Sequence, residues 1–228
     1  MSNIKSLIKA PFIKIKDFNN KIYCDKLKQQ LNNKDFSIIC DNCVGGIIYH
    51  NLGMKFLSPT VNTYIPAEDF LHFINNLKYY SICDMIDASS DEFDYPIGEI
   101  VSKDTNIPNI KVHFMHADSF EKGKEEFFRR YQRINYDNMY YMMEYYKDQC
   151  NIDVIKKFDS MDFKKICILH EDVPDIKNKV VFDIYKDGVE LPKGKLFWAK
   201  NKLTRKRFLD SWDYVSFLNS WENLLQFV

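Results

Sequence analysis

Short apolar runs recur along this chain, and the stretches between them carry apolar residues three and four apart, the pattern of strands alternating with helices. The strands this predicts are Phe36 to Asp41, Val61 to Ile65, Ser81 to Ile86, Lys111 to Met115, Lys164 to Leu169 and Val180 to Tyr185. Helical patterns between them predict an α/β protein with a three-layer α/β/α fold around a mostly parallel central sheet. No linker, repeat or low-complexity tract interrupts residues 1–228, so a single domain is expected, with residues 1–20 as a loosely ordered N-terminal arm.

Three helices are marked by local chemistry. Pro66 opens one, because a proline in the first turn loses only an N–H that would have no helical partner, and Phe70, Phe73, Ile74 and Leu77 form its apolar stripe. A second starts at Asp118 or Ser119, where Asp118 and Glu121 have capping-box spacing, and runs through Phe127, Phe128, Tyr131, Ile134 and beyond as the longest helix; the run Tyr140, Tyr141, Tyr145 and Tyr146 suits a helix packed on its neighbours or aromatics that stack on sugars. The third carries Phe208, Trp212, Val215, Phe217, Leu218 and Trp221, an aromatic face suited to a core.

Polar residues collect where predicted strands end. The first strand stops at Asn42 and Cys43, and the glycine pair Gly45 and Gly46 starts the apolar helix that follows. Glycines at a helix N-terminus let backbone N–H groups approach a phosphate or carboxylate, with Asn42 bonding the ligand; a tight strand-to-helix turn uses the same residues. His116 follows the strand at 111–115, and His170 with Glu171 and Asp172 follows the strand at 164–169. Ligands of open α/β sheets bind at the carboxyl ends of strands, so Cys43, His116 and His170 are expected to converge on one site. Histidine suits acid–base work near neutral pH, which makes His116 the candidate base and Cys43 the candidate nucleophile, with His170 an alternative base. Arg130 and Arg133 lie three apart and can bind phosphate, unless Glu125, Glu126 and Asp137 neutralise them.

Composition narrows the classes. Thirty-two basic and thirty-two acidic residues give zero net charge, which supplies no general attraction to nucleic acid or anionic lipid, and 46% hydrophobic content suits a packed core. No run approaches the roughly 20 apolar residues of a membrane span, and residues 1–16, with four lysines and Pro11, lack a signal-peptide core. Six scattered cysteines predict reduced thiols and a cytoplasmic protein. Cys40 and Cys43 form the lone C-x-x-C, without the second pair a zinc site needs, so no metal is predicted. The acidic residues Asp84, Asp87, Asp91 and Asp94 lack calcium-loop spacing, and no cofactor is required by any motif present.

Several motifs occur together in order: Asn42-Cys43-x-Gly45-Gly46, Ser58-Pro59-Thr60, Tyr95-Pro96-x-Gly98, Phe114-x-His116, Arg130-x-x-Arg133-Ile134-Asn135-x-x-Asn138, and the segment from Trp212 to Asn219. In these the chain resembles the bacterial domain-of-unknown-function 1919 family, found among capsule and exopolysaccharide biosynthesis proteins. It departs from that pattern at Val44, where an aromatic is common, and at Phe127-Phe128, where a tryptophan is common.

The resemblance implies an α/β fold and a surface-polysaccharide context, with no catalytic assignment. It extends the candidate ligand-binding set to Asn135 and Asn138. The expected function is a transferase in surface-polysaccharide biosynthesis acting on a nucleotide-linked or phosphate-bearing sugar. A Cys–His acyltransferase or hydrolase and a non-catalytic polysaccharide-binding or regulatory module are the alternatives. Expected partners are a small-molecule or sugar-phosphate ligand and, peripherally, a polysaccharide assembly complex, with no nucleic acid.

Overall fold

The Ser37–Cys40 segment forms strand β1, and all four of its residues are buried. Its inner edge pairs in parallel with strand β5, Met139–Glu144. Among the described residues its outer edge has no neighbouring strand, and side chains take over: Ile38 N–H donates to the Tyr49 hydroxyl at 2.8 Å and Cys40 N–H to Thr60 Oγ1 at 3.1 Å. An open edge with free N–H groups invites strand addition, and this covering removes it. Thr60 is held in turn by Ser58, with their hydroxyls 3.0 Å apart, so the Ser58-Pro59-Thr60 motif has a structural role.

The computed structural model describes residues 18–147, 150–184, 194–200 and 206–225, the last five as backbone only. The elements are a helix over 18–30 (α1), β1, α2 (Val44–Leu52), α3 (Ala67–Asn75), α4 (Leu77–Tyr80), β2 (Asp84–Asp87), β3 (Ile97–Val101), β4 (Ile110–His113), α5 (Phe120–Tyr131), β5, α6 (Ile152–Ser160), β6 (Lys165–Leu169), β7 (Lys179–Val181) and α7 (Tyr214–Leu225). The chain is α/β, with its strands divided between two sheets. One is parallel, in the order β1-β5-β6-β7; the other is antiparallel, in the order β2-β3-β4. Among the described residues no helix is long and apolar enough to cross a membrane.

Two compact units are distinguished. The larger comprises Asp35–Tyr49 and Lys55–Glu190; the smaller draws on Met1–Lys34, His50–Met54 and Leu191–Val228. In the larger unit, Ile39, Met143 and Leu169 from the parallel sheet share a core with Ile100 and Val112 from the antiparallel one and with Phe73, Phe127 and Phe158 from α3, α5 and α6. In the smaller unit, Asn51 donates to the Tyr214 hydroxyl at 3.0 Å and accepts from Arg207 Nη2 at 3.0 Å, while Val215 and Leu218 of α7 are buried. The side chain of Trp221 and residues 1–17 lie outside the described residues; residues 18–20 belong to α1.

Several expected elements differ. Val61 to Ile65 is not a strand: Asn62 has φ 64°, the Thr63 hydroxyl closes a turn on the Thr60 carbonyl at 3.0 Å, and only Tyr64 pairs, with His113. The expected strands at 81–86 and 111–115 shift to Asp84–Asp87 and Ile110–His113 and belong to the antiparallel sheet, together with β3, which the pattern missed. The expected strand at 180–185 is Lys179–Val181, and Tyr185 lies outside the described residues.

The helix from Ser119 stops at Tyr131, before Ile134, and the tyrosine-rich stretch read as helix becomes β5, between β1 and β6. The cause is a polar stop. Asn135 Oδ1 accepts from Asp137 N–H at 3.1 Å, and the Asn135 and Asn138 amides both donate to the Asp35 carbonyl, at 3.1 and 3.0 Å, which fixes the turn that launches β5 beside β1.

Gly123 on α5 lets the helix lie against Phe114. A Cβ there would stand 2.5 Å from Phe114 Cγ, inside contact distance of a buried ring. Gly123→Ala is therefore expected to destabilise by about 2 kcal/mol through overpacking. Urea denaturation measures it; a change below about 0.5 kcal/mol would show that the ring yields freely.

Candidate functional site

The 61–65 segment ties the sheets together where polar residues gather. Ile65 N–H donates to the Asp41 carbonyl at 2.8 Å, just past β1, and Tyr64 exchanges backbone bonds with His113 at 2.9 and 2.8 Å, at the end of β4. These links bring the residues that follow β1 and β4 together. Cys43 Sγ stands 3.8 Å from His116 Nε2, near the separation of a thiol–imidazole contact. Cys43 is half-buried and His116 exposed.

Beneath this pair lies a buried polar network across the carboxyl ends of β1, β5 and β6. Glu144, the last residue of β5, accepts from the Asn42 amide at one oxygen. Its other oxygen meets His170 Nε2 at 2.8 Å and accepts from the Tyr146 hydroxyl at 2.7 Å. The His170 and Glu144 side chains are 0% and 1% exposed. The Asn42 amide, the Tyr146 hydroxyl and the His170 ring nitrogen thus converge on the two oxygens of Glu144. Both Asp41 carboxylate oxygens stand 3.2 Å from the Glu144 N–H. Burial and the Glu144 charge push the Asp41 carboxyl well above the usual range.

This environment sets the character of the thiol. Burial first, then the Glu144 and Asp41 carboxylates, raise Cys43 from its ordinary value of 9.0 to about 11. At pH 8 roughly one molecule in a thousand carries the thiolate. Cys43 therefore has to surrender its proton to a base during any attack, and His116 is the base in contact.

The glycine pair has a packing explanation. A Cβ on Gly45 would meet Ile38 Cγ2 at 3.0 Å, and one on Gly46 would meet Val61 Cγ1 at 3.2 Å, so the glycines let α2 pack closely on β1 and on the 61–65 segment. Asn42 Oδ1 accepts from Val44 N–H at 3.0 Å and already occupies the first amide of α2.

A cleft opens on the other side of His116. His116, Asp118, Lys122, Glu126, Arg130 and Asn62 contribute its polar lining, and its volume is about 100 Å³. Pockets that enclose whole ligands run to about 300–1,000 Å³, so this one takes a single group of a larger molecule. Its charges are paired: Lys122 with Asp118 at 2.7 Å, and Arg130 with Glu126. Arg130 is buried, and its Nη1 donates to the Val61 carbonyl at 2.8 Å.

The expected site is thus divided. Asn42, Cys43, His116 and His170 gather at the carboxyl ends of the strands, and Arg130 shares the cleft with His116. Arg133 is not among the cleft residues. Asn135 and Asn138 sit at the opposite, amino end of β1, where Lys164 Nζ also donates to Asn138 Oδ1 at 3.1 Å. Among the described residues no group of three or more His, Cys, Asp or Glu could hold a metal ion.

The motif set that crosses this site has a counterpart in a known family model. A model described as a domain of unknown function (DUF1919) matches residues 14–219, which include every residue named at the site. The chain belongs to that family. It is also similar to an uncharacterized protein of Haemophilus influenzae, 29% identical over 214 residues that cover 92% of this chain and 98% of the relative.

One functional candidate of this DUF1919 chain, Glu144, is hidden by the helix pattern expected over its stretch, and Tyr146, expected as a sugar-stacking or helix-packing aromatic, instead donates its hydroxyl to Glu144. The signal was present: Met139 to Glu144 is a short apolar run that follows the turn-forming Asn135 to Asn138 and ends in a carboxylate.

Proposed function

We propose that this DUF1919 protein is an acyl-group transferase whose reacting pair is Cys43 and His116, with a carbohydrate hydroxyl of a surface polysaccharide or its precursor as acceptor. The observation that carries it is the 3.8 Å approach of Cys43 Sγ to His116 Nε2 at the strand ends. The Cys43 thiol attacks the carbonyl carbon of a donor ester or thioester while His116 Nε2 takes its proton. The donor's alcohol or thiol leaves with that proton, and the acyl group stays on sulfur as a thioester. An acceptor hydroxyl, deprotonated by His116, then displaces the sulfur, which recovers the proton. Water in place of the acceptor makes the same pair a hydrolase.

The cleft beside His116 is where the acceptor group enters, because its paired charges offer donors and acceptors side by side, as a hydroxyl-bearing group requires. The polysaccharide context is supported by the motif resemblance. The setting is a cytoplasmic face, in peripheral contact with an assembly complex, and the scaffold is the three-layer α/β/α arrangement.

A phosphate-bearing or nucleotide-linked sugar donor is the second reading, and the presence of Arg130 and Lys122 beside His116 favours it. Against it, Arg130 is committed to Glu126 and the Val61 carbonyl, and Gly45 and Gly46 are filled in by packing. In that reading His116 alone is the base and no adduct forms on sulfur.

Incubation with p-nitrophenyl acetate, followed by peptide mass spectrometry, separates them. An acetyl group on the Cys43 peptide is expected, lost in Cys43→Ser and in His116→Asn, with hexoses accelerating p-nitrophenol release. Equal release by Cys43→Ser, with acetyl found only on lysines, would sink the covalent mechanism. A sugar-dependent thermal shift without turnover would place the protein among binding modules.

A further inference from the structure

Glu144 is an acidic side chain 1% exposed, at the end of a central strand, one bond away from the turn that presents Cys43. Burying a carboxylate and an imidazole together is expensive, and a packed apolar pair of the same volume is often as stable or more so. Their geometry shows what else they do. Glu144 holds the Asn42 amide nitrogen, and Asn42 uses its amide oxygen to accept from Val44 N–H at 3.0 Å and from Cys40 Sγ at 3.3 Å. Asn42 and Val44 flank Cys43 in the chain, so orienting the Asn42 amide fixes the backbone on both sides of the thiol. His170 and Tyr146 fix Glu144 in turn, and the Tyr146 ring lies 4.8 Å from the His170 imidazole.

We propose that Glu144 and His170, with Tyr146, are positioning residues of the reacting pair, locking Asn42 so that Cys43 is held against His116. The inference rests on the reading of Cys43 and His116 as that pair. None of the three is placed at the reacting atoms; all act through Asn42. The groups that face Cys43 are Asp41 and Asn42 beside it in the chain, Thr63 through its carbonyl at 3.9 Å, His116 after β4, and Glu144 from β5.

The arrangement has a second consequence for the thiol. After burial, the Glu144 charge contributes most to holding it in the protonated form. Burial and this carboxylate together favour the thiol, so His116 has to take the proton when Cys43 attacks.

The test uses the full chain and two readouts. Iodoacetamide alkylation of the Cys43 peptide is followed by mass spectrometry across pH, and p-nitrophenyl acetate turnover is followed in parallel, with near-ultraviolet circular dichroism reporting the fold. In Glu144→Gln one of the two oxygens becomes an NH2, so either Asn42 or the Tyr146–His170 side loses its acceptor, which loosens the hold on Asn42 and removes the charge. The expected midpoint of Cys43 alkylation falls by about one pH unit, so alkylation at pH 8 quickens roughly tenfold while turnover falls at least tenfold. His170→Gln keeps an N–H donor toward Glu144 and is expected to retain the wild-type midpoint and most of the turnover, a rescue that His170→Leu lacks.

A folded Glu144→Gln protein with an unchanged midpoint and full turnover would overturn the inference and leave the network a structural one. Wild-type protein that never acylates Cys43 would overturn the proposed reaction instead, and the alkylation midpoints would still decide the positioning role.

Discussion

Replacing His170 by alanine is expected to destabilise the protein by about 3–5 kcal/mol, the loss found when one partner of a buried ion or hydrogen-bonded pair is deleted. His170 and Glu144 are 0% and 1% exposed, so water cannot enter easily to replace the imidazole N–H. The remaining donors, Asn42 and Tyr146, leave part of the acceptor capacity of Glu144 unmet, and the void removes the contact with the Tyr146 ring. Urea unfolding at pH 7 measures the effect, read as a shift of the midpoint at constant slope. A loss under about 1 kcal/mol would mean that water reaches Glu144 and that the network is not dry. Replacing both partners, as in His170→Leu with Glu144→Met, is expected to recover much of the stability, because no polar group is then stranded, while turnover stays low.

Arg130→Ala is expected to cost about 3 kcal/mol of stability, which separates a structural arginine from a ligand-binding one. Its guanidinium donates to the Val61 carbonyl at 2.8 Å and to Glu126, and it lies 5.6 Å from the centre of the Phe56 ring. The alanine variant leaves a buried carbonyl without its donor and opens the floor of the cleft next to His116. Lysine cannot reproduce the fork, so Arg130→Lys is expected to recover only part of the loss. If Arg130 served mainly to bind a donor phosphate, the alanine variant would keep its unfolding midpoint and show only a raised KM. The unfolding midpoints of both variants, set beside turnover, distinguish the two roles.

The strand-end positions of Cys43, His116 and His170 were legible because each stands directly after an apolar run, and the carboxyl ends of strands are where an α/β fold gathers polar groups; the bond of His170 to Glu144 was not. Two things hid the rest. Arginines three apart on a helix look the same from the sequence whether their partners are a ligand or the protein's own carbonyls, and Arg130 turned out to bond Val61, 69 residues away. Asn135 and Asn138 have the residue type of ligand binders, yet their partner is the Asp35 carbonyl at the start of β1, about a hundred residues earlier in the chain. Amides serve ligands and turns with the same donors, and only the fold chooses between them.

The misread tyrosine stretch has a related cause. Phe127 to Tyr146 contains aromatic and apolar residues at spacings that satisfy both a helix and a buried strand, and the arbiter is the polar turn at 135–138. Once Asn135 and Asn138 close on Asp35, the next residues have to run beside β1, and Glu144 is carried to the same edge as Asn42. Val61 to Ile65 shows the opposite error. Its β-branched residues favour strand, but the Thr60 to Thr63 turn and the left-handed Asn62 spend them on joining the two sheets.

Short-range periodicity and local capping chemistry specify the α/β class, strands β1 and β6, the Pro66 and Ser119 helix starts and the strand-end position of Cys43. Tertiary structure alone decided the division into parallel and antiparallel sheets, the contact of Cys43 with His116, and the burial of Glu144 against His170. Those depend on hydrogen bonds between residues 26 to 103 positions apart in the chain, which local pattern does not encode.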